Sequence, residues 1–112
     1  MMQFGLRDSD IEKINSIFAQ YPAVEKVVLY GSRAKGNYKN GSDIDLTMIG
    51  NTLDLTTQFR IENDIDDLLL PYGIDLSIIS HIGNPDLIDH INKVGQIFYD
   101  KASMTVTQAT KS

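Results

Sequence analysis

A chain of 112 residues with 42% hydrophobic content and a formal charge of −5 suits one domain with a single core, without room for a second. Its acidity, with a pI near 4.7, excludes broad electrostatic binding along a nucleic-acid backbone. The lack of cysteine excludes disulfides, thiol nucleophiles and zinc-thiolate sites.

The apolar runs Val27-Val28-Leu29-Tyr30 and Leu68-Leu69-Leu70 fall far short of the ~20 residues of a membrane span. Arg7, Asp8 and Asp10 arrive before any leader-like apolar block, so a cytoplasmic protein with no membrane attachment is expected. Ser9-Asp10-Ile11-Glu12 has the form of a capping box and predicts the start of a first helix at Ser9. Ile11, Ile14, Ile17 and Phe18 follow at helical spacing as one buried stripe, and Tyr21-Pro22 ends it. Residues 25–30, rich in β-branched side chains, read as a first strand. Residues 43–49 read as a second, preceded by the turn signal Asn40-Gly41. Only one short helical turn fits between them.

A longer helix is predicted over residues 54–70, with Leu55, Phe59, Ile65, Leu68 and Leu69 facing inward and Pro71 and Gly73 stopping it. A third strand follows over residues 73–79. Asn84-Pro85-Asp86 combines a capping side chain, a proline at the first helical position and an acid at the positive end of the dipole, and it opens a last helix reaching about Val94. Ile97-Phe98-Tyr99 reads as a short final element. The expected architecture is an α+β domain over residues 1–101: a small mixed sheet of three main strands, strand two central, flanked by helices. Residues 102–112 read as a polar, flexible tail.

Asp43-Ile44-Asp45-Leu46 puts two carboxylates on one face of an apolar strand. Aspartate is depleted in strands, and like charges on one face repel. A divalent cation would remove that repulsion, and Mg²⁺ is commonly held by one or two carboxylates completed by water and phosphate. Ile74-Asp75-Leu76 repeats the unit. If strands two and three are parallel and joined by the long helix, a right-handed crossover brings Asp75 beside Asp43 and Asp45. An antiparallel first strand then delivers Gly31-Ser32 to the same end. Glycine there lets the backbone approach a ligand, and the amides and the Ser32 hydroxyl can hold a phosphate where a helix begins. Arg33, Lys35 and Lys39 form a small basic island nearby. Carboxylates, a phosphate cradle and about two metal ions some 3.5–4 Å apart are the parts of two-metal phosphoryl transfer.

The block Tyr30-Gly31-Ser32-Arg33-Ala34-Lys35-Gly36 through Ser42-Asp43-Ile44-Asp45-Leu46 resembles the DNA polymerase beta superfamily of nucleotidyltransferases. Their signature is a Gly-Ser or Gly-Gly pair, then Asp-x-Asp, then a third acid on a later strand. Within that superfamily it is most similar to the minimal nucleotidyltransferases encoded beside HEPN-domain proteins, clearly over residues 24–80 and more loosely in the last helix. The resemblance implies that Asp43, Asp45 and Asp75 ligate magnesium, with Asp75 helping to activate the acceptor. It also implies that Gly31 and Ser32, with Arg33 and Ser42, bind the nucleotide. It implies ATP as the substrate and a HEPN-domain partner, whose tyrosine receives AMP and whose toxicity is thereby silenced. The small size fits a catalytic half whose acceptor comes from a second protein.

Each feature has a plainer reading. Asp-x-Asp alone is common at solvated strand ends, and Gly-Ser alone is a turn; it is their spacing together with Asp75 that points to a site. Arg33 and Lys35 could merely balance surface charge. Glu62, Asp64, Asp66 and Asp67 read as a solvated helix face, since no glycine turn makes them a calcium loop. His81 and His90 lack ligand spacing and read as ordinary loop and helix residues, and Tyr30 reads as core packing. Two other functions stay open: an antitoxin that binds its partner without catalysis, and a catalytic subunit that modifies a small molecule.

Overall fold

The computed structural model describes residues 2–103. An N-terminal hairpin, β1 (Met2–Gln3) and β2 (Leu6–Arg7), runs into helix α1 (Asp8–Phe18). Strand β3 (Lys26–Tyr30) passes directly into a short helix α2 (Gly31–Lys35). Strand β4 (Ile44–Ile49), helix α3 (Leu55–Asp66) and strand β5 (Ile74–Ile78) follow. A 3₁₀ turn (Ile79–His81), helix α4 (Pro85–Val94) and strand β6 (Gln96–Asp100) come next, and residues 101–103 are helical. No helix among the described residues is long and apolar enough to cross a membrane.

The main sheet has the order β5-β4-β3-β6. β4 lies between an antiparallel β3 and a parallel β5, with Tyr30 opposite Asp45 and Asp45 opposite Asp75. The mixed sheet and the right-handed crossover expected for a parallel pair therefore set the carboxylates side by side. The sheet has four strands instead of three, because Ile97-Phe98-Tyr99 pairs antiparallel with β3 as part of β6.

One face of the sheet carries Val27, Leu29, Ile44, Leu46, Met48, Leu76 and Ile78, all buried in one cluster with Ile14, Ile17 and Phe18 of α1 and Ile61 and Ile65 of α3. On the other face, α4 packs across β3, with Tyr30 meeting the His90 ring edge-on at 6.3 Å between centroids. The expected stripe of α1 is buried at Ile14, Ile17 and Phe18, and α4 begins at Pro85 with Asn84 as its cap and ends at Val94, as expected.

Three local expectations are corrected. Helix α1 starts at Asp8 with no side-chain cap, because the hairpin turn at Phe4-Gly5 and the buried Leu6 deliver the chain straight into it; Ser9 lies within the helix. Helix α3 ends at Asp66, and Asp54 is its cap, accepting from the Thr57 amide at 2.8 Å. Beyond the helix Leu69 adopts φ 54° and is 87% exposed. Leu55 and Phe59 also face solvent, at 54% and 58% exposure, because the buried stripe of α3 runs through Ile61 and Ile65. The expectation of a flexible tail falls mostly outside the described residues, which end at Ser103.

Candidate active site

Gly31 has φ 76°, and a β-carbon added there would collide with the carboxylate oxygen Oδ2 of Asp45. The residue is glycine for two reasons at once: the left-handed backbone and the space the carboxylate occupies. Gly73, just before β5, plays the second part for Asp43, whose Oδ1 would stand 2.5 Å from an added β-carbon. The main chain is pared away where the two acids of the Asp-x-Asp pair stand.

Asp45 is the half-buried member of the group, while Asp43 and Asp75 are exposed. Burial pushes the Asp45 carboxyl up from the ordinary carboxylate range. The negative charges of Asp75 and Asp43 push it further, and His90 works in the opposite direction. Tyr30 lies on the same face, its phenol raised by burial and by the charges of Asp75 and Asp45, against a hydrogen bond with Ser77. Titratable groups perturbed by burial and by one another's charge cluster at functional sites.

The observed groups fit magnesium in the manner usual for that ion, with carboxylates on one side and substrate phosphate and water on the other. Among the described residues no three carboxylate or imidazole groups already enclose a metal position. The acids stand on neighbouring strands, Asp45 opposite Asp75. Asp45, whose charge is penalised by both burial and its neighbours, has most to gain from a cation.

The basic island divides. Lys35 and Lys39 are exposed. Arg33 is buried at 2% exposure. Its Nε and Nη2 donate to the Ser42 carbonyl at 3.1 and 2.8 Å, and its Nη1 donates to the Phe4 carbonyl at 2.9 Å. The guanidinium lies 5.1 and 5.2 Å from the ring centres of Tyr38 and Tyr72. These bonds tie Arg33 to the loop that carries Asp43 and to the N-terminal hairpin, a structural role beside the phosphate contact expected of it. Ser42 belongs to the same arrangement: its hydroxyl accepts from the Lys39 amide at 2.9 Å and closes the turn before Asp43. Ser32 follows Gly31 in the first turn of α2.

Sequence reasoning missed His90. Its Nε2 accepts the Gly31 amide N–H at 3.2 Å, so an α4 side chain reaches the cradle. No spacing rule exposes a contact between a side chain and a backbone amide from a distant element.

The mixed sheet sets acids across β4 and β5 beside a glycine turn entering a helix, an arrangement suited to phosphoryl-group chemistry. Residues 12–104 match the family described as polymerase beta, nucleotidyltransferase, and the chain belongs to that family. A Methanocaldococcus jannaschii protein named for protein adenylyltransferase activity is 32% identical over 74 residues, which span 61% of this chain and 65% of that protein's length. A chain of a toxin–antitoxin complex crystallised with AMP-PNP shares the fold at a TM-score of 0.65 and 20% identity, over 95% of this chain and 83% of its own. A chain from the complex of tri-AMPylated Shewanella oneidensis HEPN toxin with MNT antitoxin matches at a TM-score of 0.61 and 18% identity, over 92% and 80% respectively.

Proposed function

We propose that this protein is a magnesium-dependent nucleotidyltransferase that moves AMP from ATP to a tyrosine hydroxyl of a HEPN-family partner and so acts as an antitoxin. The observation that carries the proposal is Asp45, held between Asp43 and Asp75 with its charge opposed by both, against a glycine turn that leaves space for its carboxylate. The named activity of the M. jannaschii relative and the toxin–antitoxin assemblies that share the fold support the choice of donor and partner.

In this reading Gly31 and Ser32 seat the nucleotide phosphates at the start of α2, and Asp43 and Asp45 hold magnesium. Bound magnesium supplies positive charge against the phosphates and the leaving group. Asp75 stands opposite Asp45 and takes the proton of the acceptor hydroxyl. The hydroxyl oxygen bonds to the α-phosphorus as its bond to the bridging oxygen breaks, and pyrophosphate leaves.

Incubating the protein with the HEPN partner, Mg²⁺ and ATP, then weighing the intact partner, tests this directly. A mass gain of one or more AMP groups is expected, with loss of the partner's toxicity. An unmodified partner with each of the four nucleoside triphosphates would sink the proposal. Neutralisation that survives Asp43→Asn with Asp45→Asn would show that binding alone suffices.

A further inference from the structure

Several features converge on the outer edge of the sheet, beside the carboxylates. β5 is the terminal strand next to β4. The Gly73 carbonyl accepts from Ile44 N at 2.8 Å, and alternation along a parallel ladder then turns the backbone groups of Ile74 and Leu76 away from β4. The Leu76 carbonyl takes the Gln58 side-chain amide at 2.9 Å, which leaves the region around Ile74 as the open part of the edge. The strand, Ile-Asp-Leu-Ser-Ile, carries neither the lysine nor the proline that commonly blocks an edge.

Alongside this edge runs a groove of about 490 Å³ between α3 and β5. Its floor is apolar, with Phe59, Ile65, Ile74 and Leu76, and it also carries Glu62 and Asp66. A second section of about 290 Å³ continues past Ile65, Asp66 and Ile74 to Tyr72 and Gly73, where the Asp43 carboxylate packs. Acids line the groove, and among the described residues neither section is lined by lysine or arginine. Part of the acid run on α3 thus belongs to a groove leading to the active site, where the sequence alone suggests only a solvated face.

We propose that this edge docks an extended segment of the acceptor protein by strand addition to β5, with basic and apolar side chains entering the groove. Strand addition draws affinity from main-chain hydrogen bonds and specificity from pockets for alternate side chains. Side chains of an added strand alternate between faces. Those on one face meet Phe59, Glu62 and Asp66; those on the other stand on the face of Asp75, where the acceptor hydroxyl is needed. A second copy of this chain is disfavoured as occupant, because two edges lined by Glu62 and Asp66 would bring like charges together. The inference rests on the reading of a protein acceptor.

The test uses the full chain without nucleotide and two labelled peptides of about nine residues, each with a central tyrosine and alternating valines. One carries lysine at the remaining positions and the other glutamate. The lysine peptide is expected to bind at least about tenfold more tightly, with an advantage that shrinks as salt screens the charges. Hydrogen exchange at the Ile74 amide should slow on binding. Glu62→Lys with Asp66→Lys should reverse the preference, and Phe59→Ser should weaken both peptides; amide spectra of each variant establish that it is folded. Equal binding of the two peptides, protection at another surface, or self-association of the chain through this edge overturns the proposal. The peptides dock without nucleotide or metal, so docking is read independently of transfer. Docking without any AMP transfer would therefore sink the transferase reading alone, and transfer without docking would sink this inference alone.

Discussion

The imidazole of His90 accepts the amide N–H of Gly31 at 3.2 Å, tying α4 to the turn where a phosphate would sit. The bond holds the left-handed Gly31 in place. His90→Phe keeps an aromatic ring against Tyr30 and removes the acceptor. A lost hydrogen bond of this kind is worth about 0.5–1.5 kcal/mol, so Tm should fall by roughly 3–6 °C. The KM for ATP should rise about threefold to tenfold, as that energy implies. A lower KM would mean that the ring merely blocks the amide, and the positioning role would be wrong.

Asp45 sets a pH dependence whose sign follows from its environment. Its carboxyl titrates higher in the folded chain than in the unfolded one, so the folded state holds that proton more tightly. Its contribution to stability declines as pH rises from about 4, the ordinary aspartate value, through the raised folded-state value, and then levels. Asp45→Asn removes the decline. The variant should gain in Tm relative to the wild type between acidic and neutral pH without metal. Magnesium should stabilise the wild type more than the variant at neutral pH. Transfer by Asp45→Asn should drop about a hundredfold or more, the scale of losing one main electrostatic group of a site. Paired melts across pH, with and without Mg²⁺, read all of these signs; a wild type and variant whose melts run parallel across pH would contradict the assignment.

Arg33 gives a contrasting prediction, because its guanidinium bridges the carbonyls of Ser42 and Phe4 between the rings of Tyr38 and Tyr72. Lysine cannot reproduce the planar fork. Arg33→Lys should cost about 2–4 kcal/mol, since buried carbonyls lose charged donors. At a temperature where the variant is still folded, kcat should fall more than the KM for ATP rises, because the loop bearing Asp43 loosens. A rise in KM alone, with normal stability, would assign Arg33 to the nucleotide instead.

How far the sequence carries depends on the range of each interaction. The strands and their aspartates are legible because alternation is a local property, and the pairing of Asp45 with Asp75 follows from a helix between two parallel strands. The β1–β2 hairpin escapes notice because two-residue strands are too short to show a period. Leu68-Leu69-Leu70 looks like more helix, but α3 has already ended and Leu69 turns left-handed. Arg33 sits among basic residues in sequence, and only the fold brings it to the Phe4 carbonyl. His90 is invisible for the same reason, since its partner is a main-chain amide on another element.

Gly31 tests the link between backbone and carboxylate. At φ 76°, with the Asp45 oxygen where a β-carbon would go, Gly31→Ala meets both left-handed strain of about 1–2 kcal/mol and a displaced Asp45. A total loss of about 2–4 kcal/mol is expected, together with near-complete loss of transfer. Calorimetry and the mass assay check the two effects on one variant. A stable Gly31→Ala with normal transfer would show that the turn can relax without moving the carboxylate.

Asp54 offers a control far from the chemistry. Its carboxylate accepts the Thr57 amide at 2.8 Å as the cap of α3, and that bond holds its carboxyl below the usual carboxylate range. The folded state therefore binds this proton less tightly than the unfolded one. The cap contributes fully above about pH 4, the unfolded value, and its contribution fades as pH falls through the lower folded value. Asp54→Ala should lower Tm by a few degrees at neutral pH, and its gap to the wild type should narrow in acid. Asp54→Asn keeps an acceptor without a charge, so it should retain most of the neutral-pH stability and titrate nothing in that window. Transfer should be unchanged in both variants. A gap for Asp54→Ala that widens in acid would contradict the assignment of the charged cap.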